Sequence, residues 1–278
     1  MHFVEARTGV RMPVLGQGTW KMGERVDERA REVAALQLGF DLGMTLVDTA
    51  ELYADGAAEE IVGQAIRGRR DAVFVVTKVL PGNASRQGTI RAAERSLVRL
   101  GIDCIDLYLL HWINGAHPIA ETLHGFATLR EQGKIRHFGV SNFDIDDMIG
   151  LEATANAESV CANQVYYTLS KRGIERNVLP WCQERQIAIM AYSPLEQGNI
   201  VEHGTLHRIA TARGVSVQHV ALAWTLRQTG VVTVVKASNQ KHVRANAAAR
   251  DWTLTDEELG AIDAAFPRPS HDIPLVTA

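Results

Sequence analysis

T-L-V-D-T-A-E-L-Y, Thr45 to Tyr53, is the stretch on which the reading of the fold turns. Thr45, Leu46 and Val47 read as a short buried strand, Asp48 stands where that strand should surface, and Tyr53 follows in the loop beyond. Two later apolar runs end the same way, V-F-V-V-T-K on Lys78 and I-D-L-Y-L-L-H on His111. One such ending has an easy structural explanation. Three in succession, each with a different ionisable group, point to a shared polar site at one rim of a sheet.

Upstream of this stretch, V-E-A-R-T-G-V-R-M reads as a small hairpin turning at Thr8-Gly9 that could close the bottom of a barrel. V-L-G-Q-G-T-W is a strand running out at Gly18, Thr19 and Trp20. Asp27 is placed as the N-cap of a helix through Leu42, ended by Gly43. Downstream, helical periodicity covers Ala57 to Arg67, Thr89 to Leu100, Ile119 to Gln132 and Asp144 to Ala153. It returns at Ile174 to Arg185, with Pro180 as an irregularity, and at His203 to Arg213 and Val217 to Gln228. Between the helices lie apolar strands at Val73 to Thr77, Ile105 to Leu110, Arg136 to Val140, Cys161 to Val165, Ile187 to Ala191 and Val231 to Val235. Thr255 to Phe266 opens with the capping-box residues T-D-E-E, and Pro267 begins an irregular tail, expected either to fold over the site or to be disordered.

Eight short, nearly all-apolar strands thus alternate with amphipathic helices. Continuous apolarity means both strand faces are covered, which implies a parallel sheet. Eight such units in a chain close to the roughly 250 residues usual for the fold favour a closed (β/α)8 TIM barrel of the α/β class over an open sheet. With no linker and no shift in composition, residues 1–278 are expected to form one domain: barrel, N-terminal β-hairpin, C-terminal helix and tail. The C-terminal strand ends of such barrels carry chemistry, and here nearly all are polar.

Composition narrows the function. The chain has 278 residues, 46% hydrophobic and 22% charged, enough for a large core. A net charge of −3 and a pI near 6.4 offer no bulk attraction to nucleic acid or anionic membrane. No apolar run reaches the roughly 18 residues of a membrane span, and M-H-F-V-E-A-R has no signal-peptide core, so a cytoplasmic protein is expected. Cys104, Cys161 and Cys182 are scattered and read as reduced structural thiols. His203 and His207 stand four apart, but E-H-G-T-L-H lacks the glutamate of a zincin and no third ligand is evident, so no metal is expected.

At this point the residues carry a resemblance. G-Q-G-T-W at Gly16 to Trp20, D-T-A-E-L-Y at Asp48 to Tyr53, T-K at Thr77-Lys78 and L-L-H-W at Leu109 to Trp112 come in order. G-K-I-R-H-F-G-V-S-N at Gly133 to Asn142, N-Q at Asn163-Gln164 and A-Y-S-P-L at Ala191 to Leu195 follow. In this order and spacing the chain resembles the aldo-keto reductases over essentially its whole length, and most of all the compact bacterial members that reduce small aldehydes, methylglyoxal among them.

That resemblance implies a nicotinamide-dependent reductase in which Tyr53 donates a proton, Lys78 lowers the phenol's pKa, Asp48 holds Lys78 in place and His111 orients the substrate oxygen. Any one of these residues alone would be better read as a cap, a snorkelling lysine or a packing aromatic; together they form a tetrad. The resemblance further places Gly18, Thr19, Trp20, Asp48, Ser141, Asn142 and Gln164 on the cofactor, with Tyr192 stacked on its ring and Ser193, Pro194 and Leu195 along its pyrophosphate. Lys236, Ala237, Ser238, His242 and Asn246 are assigned to its adenosine end, and Trp20, Tyr53, His111 and Trp112 to the substrate. NADPH is the expected cofactor and NADH the alternative, because His242 stands where the family often has an arginine. Gly16 and Gly18 form only a lone G-x-G, which argues against a Rossmann site.

The expected partner is a small carbonyl compound, with no nucleic acid, no membrane and a monomeric chain. A barrel that binds the nucleotide but serves as a regulatory subunit is the competing reading, against which the intact tetrad speaks. An unrelated phosphate-binding isomerase would need a Gly-rich loop near the last strands, and none is found.

Overall fold

The computed structural model describes residues 3–200 and 203–277. Phe3–Glu5 (β1) and Arg11–Pro13 (β2) pair antiparallel through a turn in which Thr8 and Gly9 take φ of 71° and 74°. Next come β3 (Leu15–Gly18), α1 (Arg29–Asp41), β4 (Leu46–Asp48), α2 (Ala57–Ala65), β5 (Phe74–Val79), α3 (Arg86–Leu100) and β6 (Ile105–Leu110). They are followed by α4 (Ile119–Glu131), β7 (Ile135–Ser141), α5 (Ile145–Glu152), β8 (Val160–Tyr166), α6 (Val178–Glu184) and β9 (Ala188–Tyr192). The chain ends with α7 (Gly204–Arg213), α8 (Val217–Leu226), β10 (Val231–Lys236), α9 (Gln240–Ala248) and α10 (Asp256–Ala265). Strands β3 to β10 are all parallel and close on themselves, β10 lying between β9 and β3. This is the expected (β/α)8 barrel, and no helix among the described residues is long and apolar enough to cross a membrane.

Strand pleat sorts the residues. Leu46, Val76, Leu107, Leu109, Ala162, Met190, Val232 and Val234 pack together inside the barrel. Val4, Ala6, Val10 and Met12 of the hairpin join the same cluster and plug its lower end. Each of the larger aliphatic side chains buried there contributes about 1.5–3 kcal/mol. The hairpin is held by Arg7, whose guanidinium donates to the carbonyls of Val160 and, at 2.6 Å, Ala157 at the foot of β8. Alternate residues, such as Val47, Val75, Tyr108 and Leu110, face outward into the layer under the helices. At Gly139 the pairing of β7 with β8 slips, and a Cβ there would lie 2.5 Å from the Ala162 carbonyl oxygen.

The helix boundaries depart from the sequence reading in places that have local causes. Asp27 does not cap α1; it pairs at 2.7 Å with Arg25 in a single 3-10 turn, and the α-helix starts at Arg29. α6 begins at Val178, capped by the Asn177 side chain, so Pro180 sits in the first turn, where its missing N–H leaves no acceptor unpaired. α9 had no counterpart in the periodicity: Q-K-H-V-R-A-N-A-A buries only Val243, Asn246 and Ala247, and its start is set by the Asn239 cap. The capping box at Thr255–Glu258 stands as read, and Asp144, read as the first residue of a helix, caps α5 with its side chain. Cys104, Cys161 and Cys182 are free thiols, and burial pushes those of Cys161 and Cys182 up to about 12.

The tail is tied down through a buried arginine that the sequence did not single out. Arg172 donates to Glu175 at 3.0 and 2.8 Å, to Asp263 of α10 at 2.8 Å and to the carbonyl of Phe266 at 2.5 Å, beneath the ring of Trp224. Ile273 then packs on Gly173, and the Leu275 N–H donates to Asp144 at 2.8 Å, so the tail ends beside the start of α5 at the barrel rim. Ala278 lies outside the described residues. Replacing Arg172 by Ala leaves Glu175 buried with Tyr167 and Arg268 as its remaining partners. Urea unfolding should report a loss of about 3 kcal/mol, near the lower end for breaking a buried ion pair.

Candidate active site at the barrel mouth

Two residues beyond the apolar interior layer, the same inward faces turn polar. Residues paired across a parallel ladder share a face. Gly18 is opposite both Asp48 and Lys236, Lys78 is opposite Leu109, and Ser141 is opposite Gln164. Counting by twos from Leu46, Val76, Leu109, Ala162 and Met190 reaches Asp48, Lys78, His111, Gln164 and Tyr192. The polar strand ends therefore converge on one mouth.

Lys78 is the centre of this layer, with no exposure to solvent. Its ammonium donates to Asp48 Oδ2 at 2.9 Å, to the Thr49 carbonyl at 2.8 Å and to the Tyr53 hydroxyl at 3.2 Å, which uses all its protons. The other Asp48 oxygen accepts from Gln164 Nε2 at 2.8 Å, while the Asp48 carbonyl holds the Thr19 hydroxyl at 3.0 Å. Asp48, Tyr53 and Lys78 thus meet as expected. Gln164 is also bound to the carboxylate, a contact across the barrel that no local pattern announces.

Tyr53 hangs over Lys78, whose Nζ is 4.9 Å from its ring centre. Its ring is edge-on to Trp20 at 5.0 Å and to His111 at 5.8 Å, and His111 meets Trp112 at 4.7 Å. The backbone just after it is strained: Ala54 and Asp55 sit in the left-handed region at φ 48° and 51°, ahead of Gly56 at 91°. Each non-glycine residue there costs about 1 kcal/mol, and such strain persists only where surrounding contacts impose it.

The electrostatics set protonation states. Burial pushes the Tyr53 phenol above its ordinary pKa, Lys78 pulls it down and Asp48 opposes that pull. The net fall expected from the sequence is thus a net rise, and Tyr53 is a protonated phenol at neutral pH. Burial disfavours the Lys78 ammonium, but Asp48 and Tyr53 more than offset this and leave its pKa raised. His111 is 8% exposed, its buried Nδ1 has no protein partner, and burial with the Lys78 charge lowers its pKa to about 2. The imidazole is neutral. Chemically, a proton-bearing phenol beside a fixed ammonium can release its proton to an acceptor and have its anion stabilised.

The other strand ends form a polar arc. Asn142, at φ 59°, donates to the His111 carbonyl at 3.1 Å and accepts from the Tyr192 hydroxyl at 2.9 Å. The Ser141 hydroxyl donates to the Gln164 carbonyl at 2.9 Å. Tyr192 lies nearly parallel to Tyr166, 5.5 Å away, which adds Tyr166 to the arc. Beyond β9, Ser193, Glu196 and Gln197 have φ near 50°, and Glu196 accepts from Thr168 at 2.9 Å and Ser170 at 2.5 Å. Val201 and Glu202 lie outside the described residues. Ala237 and Asn246 are buried, whereas Lys236 and His242 are exposed.

Lys236 Nζ reaches Ser238 Oγ at 3.3 Å beside the start of α9, whose first turn has no acidic residue. An ammonium, a hydroxyl and a helix N-terminus together suit a phosphate. At the other end of the mouth, Ser141, Asn142, Gln164 and the Tyr192 ring suit a planar carboxamide-bearing ring. His203 caps α7 through Nδ1 and packs on Phe266, and no cluster among the described residues could hold a metal.

The neutral His111 has a measurable consequence. Its folded pKa, about 2, is below its unfolded value of 6.5, so the unfolded state binds the extra proton between those limits and stability falls as pH drops below 6.5. Chemical denaturation of His111→Phe from pH 6.5 to 4 should show a shallower decline than wild type, by up to about 1.4 kcal/mol per pH unit.

Comparison with known proteins places the chain in a family. The family model described as the aldo/keto reductase family matches residues 14–266, the barrel without its hairpin. The methylglyoxal reductase YeaE of Escherichia coli (strain K12) is 47% identical over 265 residues, covering 94% of this chain and 93% of its own. Crystal structures of an aldo/keto reductase from Klebsiella pneumoniae, one with NADP and acetate and one with NADPH, share 46% identity, cover 99% of both chains and superpose with a TM-score of 0.96. The chain belongs to the aldo/keto reductase family.

Proposed function

We propose that this protein reduces small reactive aldehydes, methylglyoxal among them, to alcohols with NADPH, using Tyr53 as proton donor. The observation that carries this reading is the hydrogen-bonded set Asp48–Lys78–Tyr53 at the barrel mouth, with His111 beside it. The relatives support it: one is named for methylglyoxal reduction, and two solved neighbours carry NADP or NADPH.

When bound, NADPH supplies the hydride for the carbonyl carbon. The protein's task is the oxygen. Tyr53 gives its phenolic proton to that oxygen, and Lys78 stabilises the phenolate left behind. Asp48 keeps the ammonium of Lys78 in place, so the phenol's acidity is set by a partner that does not move. The neutral His111 retains one ring N–H with which to orient the substrate oxygen. Trp20, 42% exposed, and Trp112 wall the pocket without closing it, which suits a small substrate. Ser141, Asn142, Gln164 and Tyr192 would hold the nicotinamide end, Ser193, Pro194 and Leu195 the pyrophosphate, and Lys236, Ser238, His242 and Asn246 the adenosine end.

Two experiments test the proposal. With methylglyoxal as substrate, Tyr53→Phe should lose at least about 100-fold in kcat while its NADPH Kd, read by fluorescence titration, stays within about twofold. Turnover within about threefold of wild type would exclude Tyr53 as the sole donor. For the cofactor, kcat/KM should favour NADPH over NADH, and Lys236→Ala should narrow the preference about tenfold by raising KM for NADPH alone.

A further inference from the structure

Between Asp48 and Tyr53 stands a carboxylate that the chemistry above does not use. The Glu51 side chain is only 7% exposed. Its Oε1 accepts from the Leu80 N–H at 2.8 Å and from Asn83 Nδ2 at 2.9 Å, and its Oε2 meets Arg95 Nη2 at 3.4 Å. Leu80 and Asn83 lie in the connection that leaves β5 just after Lys78, and Arg95 is on α3. One side chain therefore clamps the loop carrying Tyr53 to the loop that follows Lys78. The Glu51 N–H strengthens the join by donating to the Lys78 carbonyl at 3.4 Å.

A clamp is needed here because the loop is under strain. The left-handed pair Ala54–Asp55 directly follows Tyr53, and neither residue is a glycine. Relaxing that pair would swing the chain at the residue bearing the phenol. The hydrogen bond from Lys78 to the Tyr53 hydroxyl, 3.2 Å long, is too weak to hold the backbone alone. Two charge-assisted hydrogen bonds to a buried carboxylate are stronger than neutral ones.

We propose that Glu51 is a positioning residue that holds Tyr53 over Lys78 against the strain at Ala54–Asp55. The proposal rests on the reading of Tyr53 as proton donor. It makes Glu51 matter for the chemical step and not for cofactor binding. Glu51→Gln keeps an amide oxygen for Leu80 and Asn83; Glu51→Ala keeps nothing. Glycine at position 54 accepts φ near 48° without penalty and so lessens the need for the clamp.

The test measures methylglyoxal turnover and NADPH Kd on the full-length protein. Glu51→Ala should lower kcat about tenfold or more with NADPH Kd within about twofold, because the phenol is misplaced while the cofactor groove is not. Glu51→Gln should stay within about threefold of wild type, and adding Ala54→Gly to Glu51→Ala should recover at least about threefold. In a Tyr53→Phe background, Glu51→Ala should add less than about twofold, since two groups acting through one step are not additive. A Glu51→Ala kcat within about twofold of wild type, a loss mirrored in NADPH Kd, or an additive loss on Tyr53→Phe each overturns the proposal. If Glu51→Ala does not fold, Asn83→Ala removes one of the two grips, and an unchanged kcat there overturns it equally. Wild-type turnover in Tyr53→Phe itself instead sinks the proton-donor reading, so the two failures are told apart.

Discussion

An ammonium group sealed from water is tolerated only when every proton finds an acceptor and a counter-charge stands beside it. Lys78 meets both conditions with Asp48, the Thr49 carbonyl and Tyr53, and those three partners come from the end of β4 and the loop after it. Replacing the pair with aliphatic residues would satisfy the interior at no electrostatic cost, so stability alone does not explain its presence. The pair makes sense as equipment for a phenol. It holds a fixed positive charge next to Tyr53, and the Lys78 charge adds to the burial that keeps His111 neutral.

The closed sheet makes that arrangement cheap to assemble. Inward-facing residues form an apolar layer below, sealed by the hairpin, and a polar layer one pleat above. Because each strand contributes only its last inward position, groups far apart along the chain are set by strand pairing and not by loop conformation. Gln164 reaches Asp48 across 116 positions in this way. Tyr53 is the exception. It stands on a connection, and the strained residues after it show that its position is imposed by contacts from neighbouring segments.

Much of this was legible in the linear chain. The alternation of apolar strands and amphipathic helices is a period, and periods survive without tertiary context; hence the eight barrel strands and the order of the polar endings could be read directly. Asp48, Lys78 and His111 stood out because a charged residue closing an apolar run is conspicuous. Glu51, Arg172 and α9 did not. Glu51 and Arg172 look like ordinary surface charges until distant partners bury them, and α9 buries too narrow a stripe to show a helical period.

What the sequence determined by itself, then, was the class of fold and the side of the barrel that bears polar groups, since both follow from residue type and spacing. Only the tertiary structure decided how those groups act on one another. The pKa of a phenol depends on desolvation as well as on a neighbouring charge, and desolvation exists only once the barrel has closed. That is why Tyr53 lies above its ordinary value when the nearby lysine alone would have placed it below.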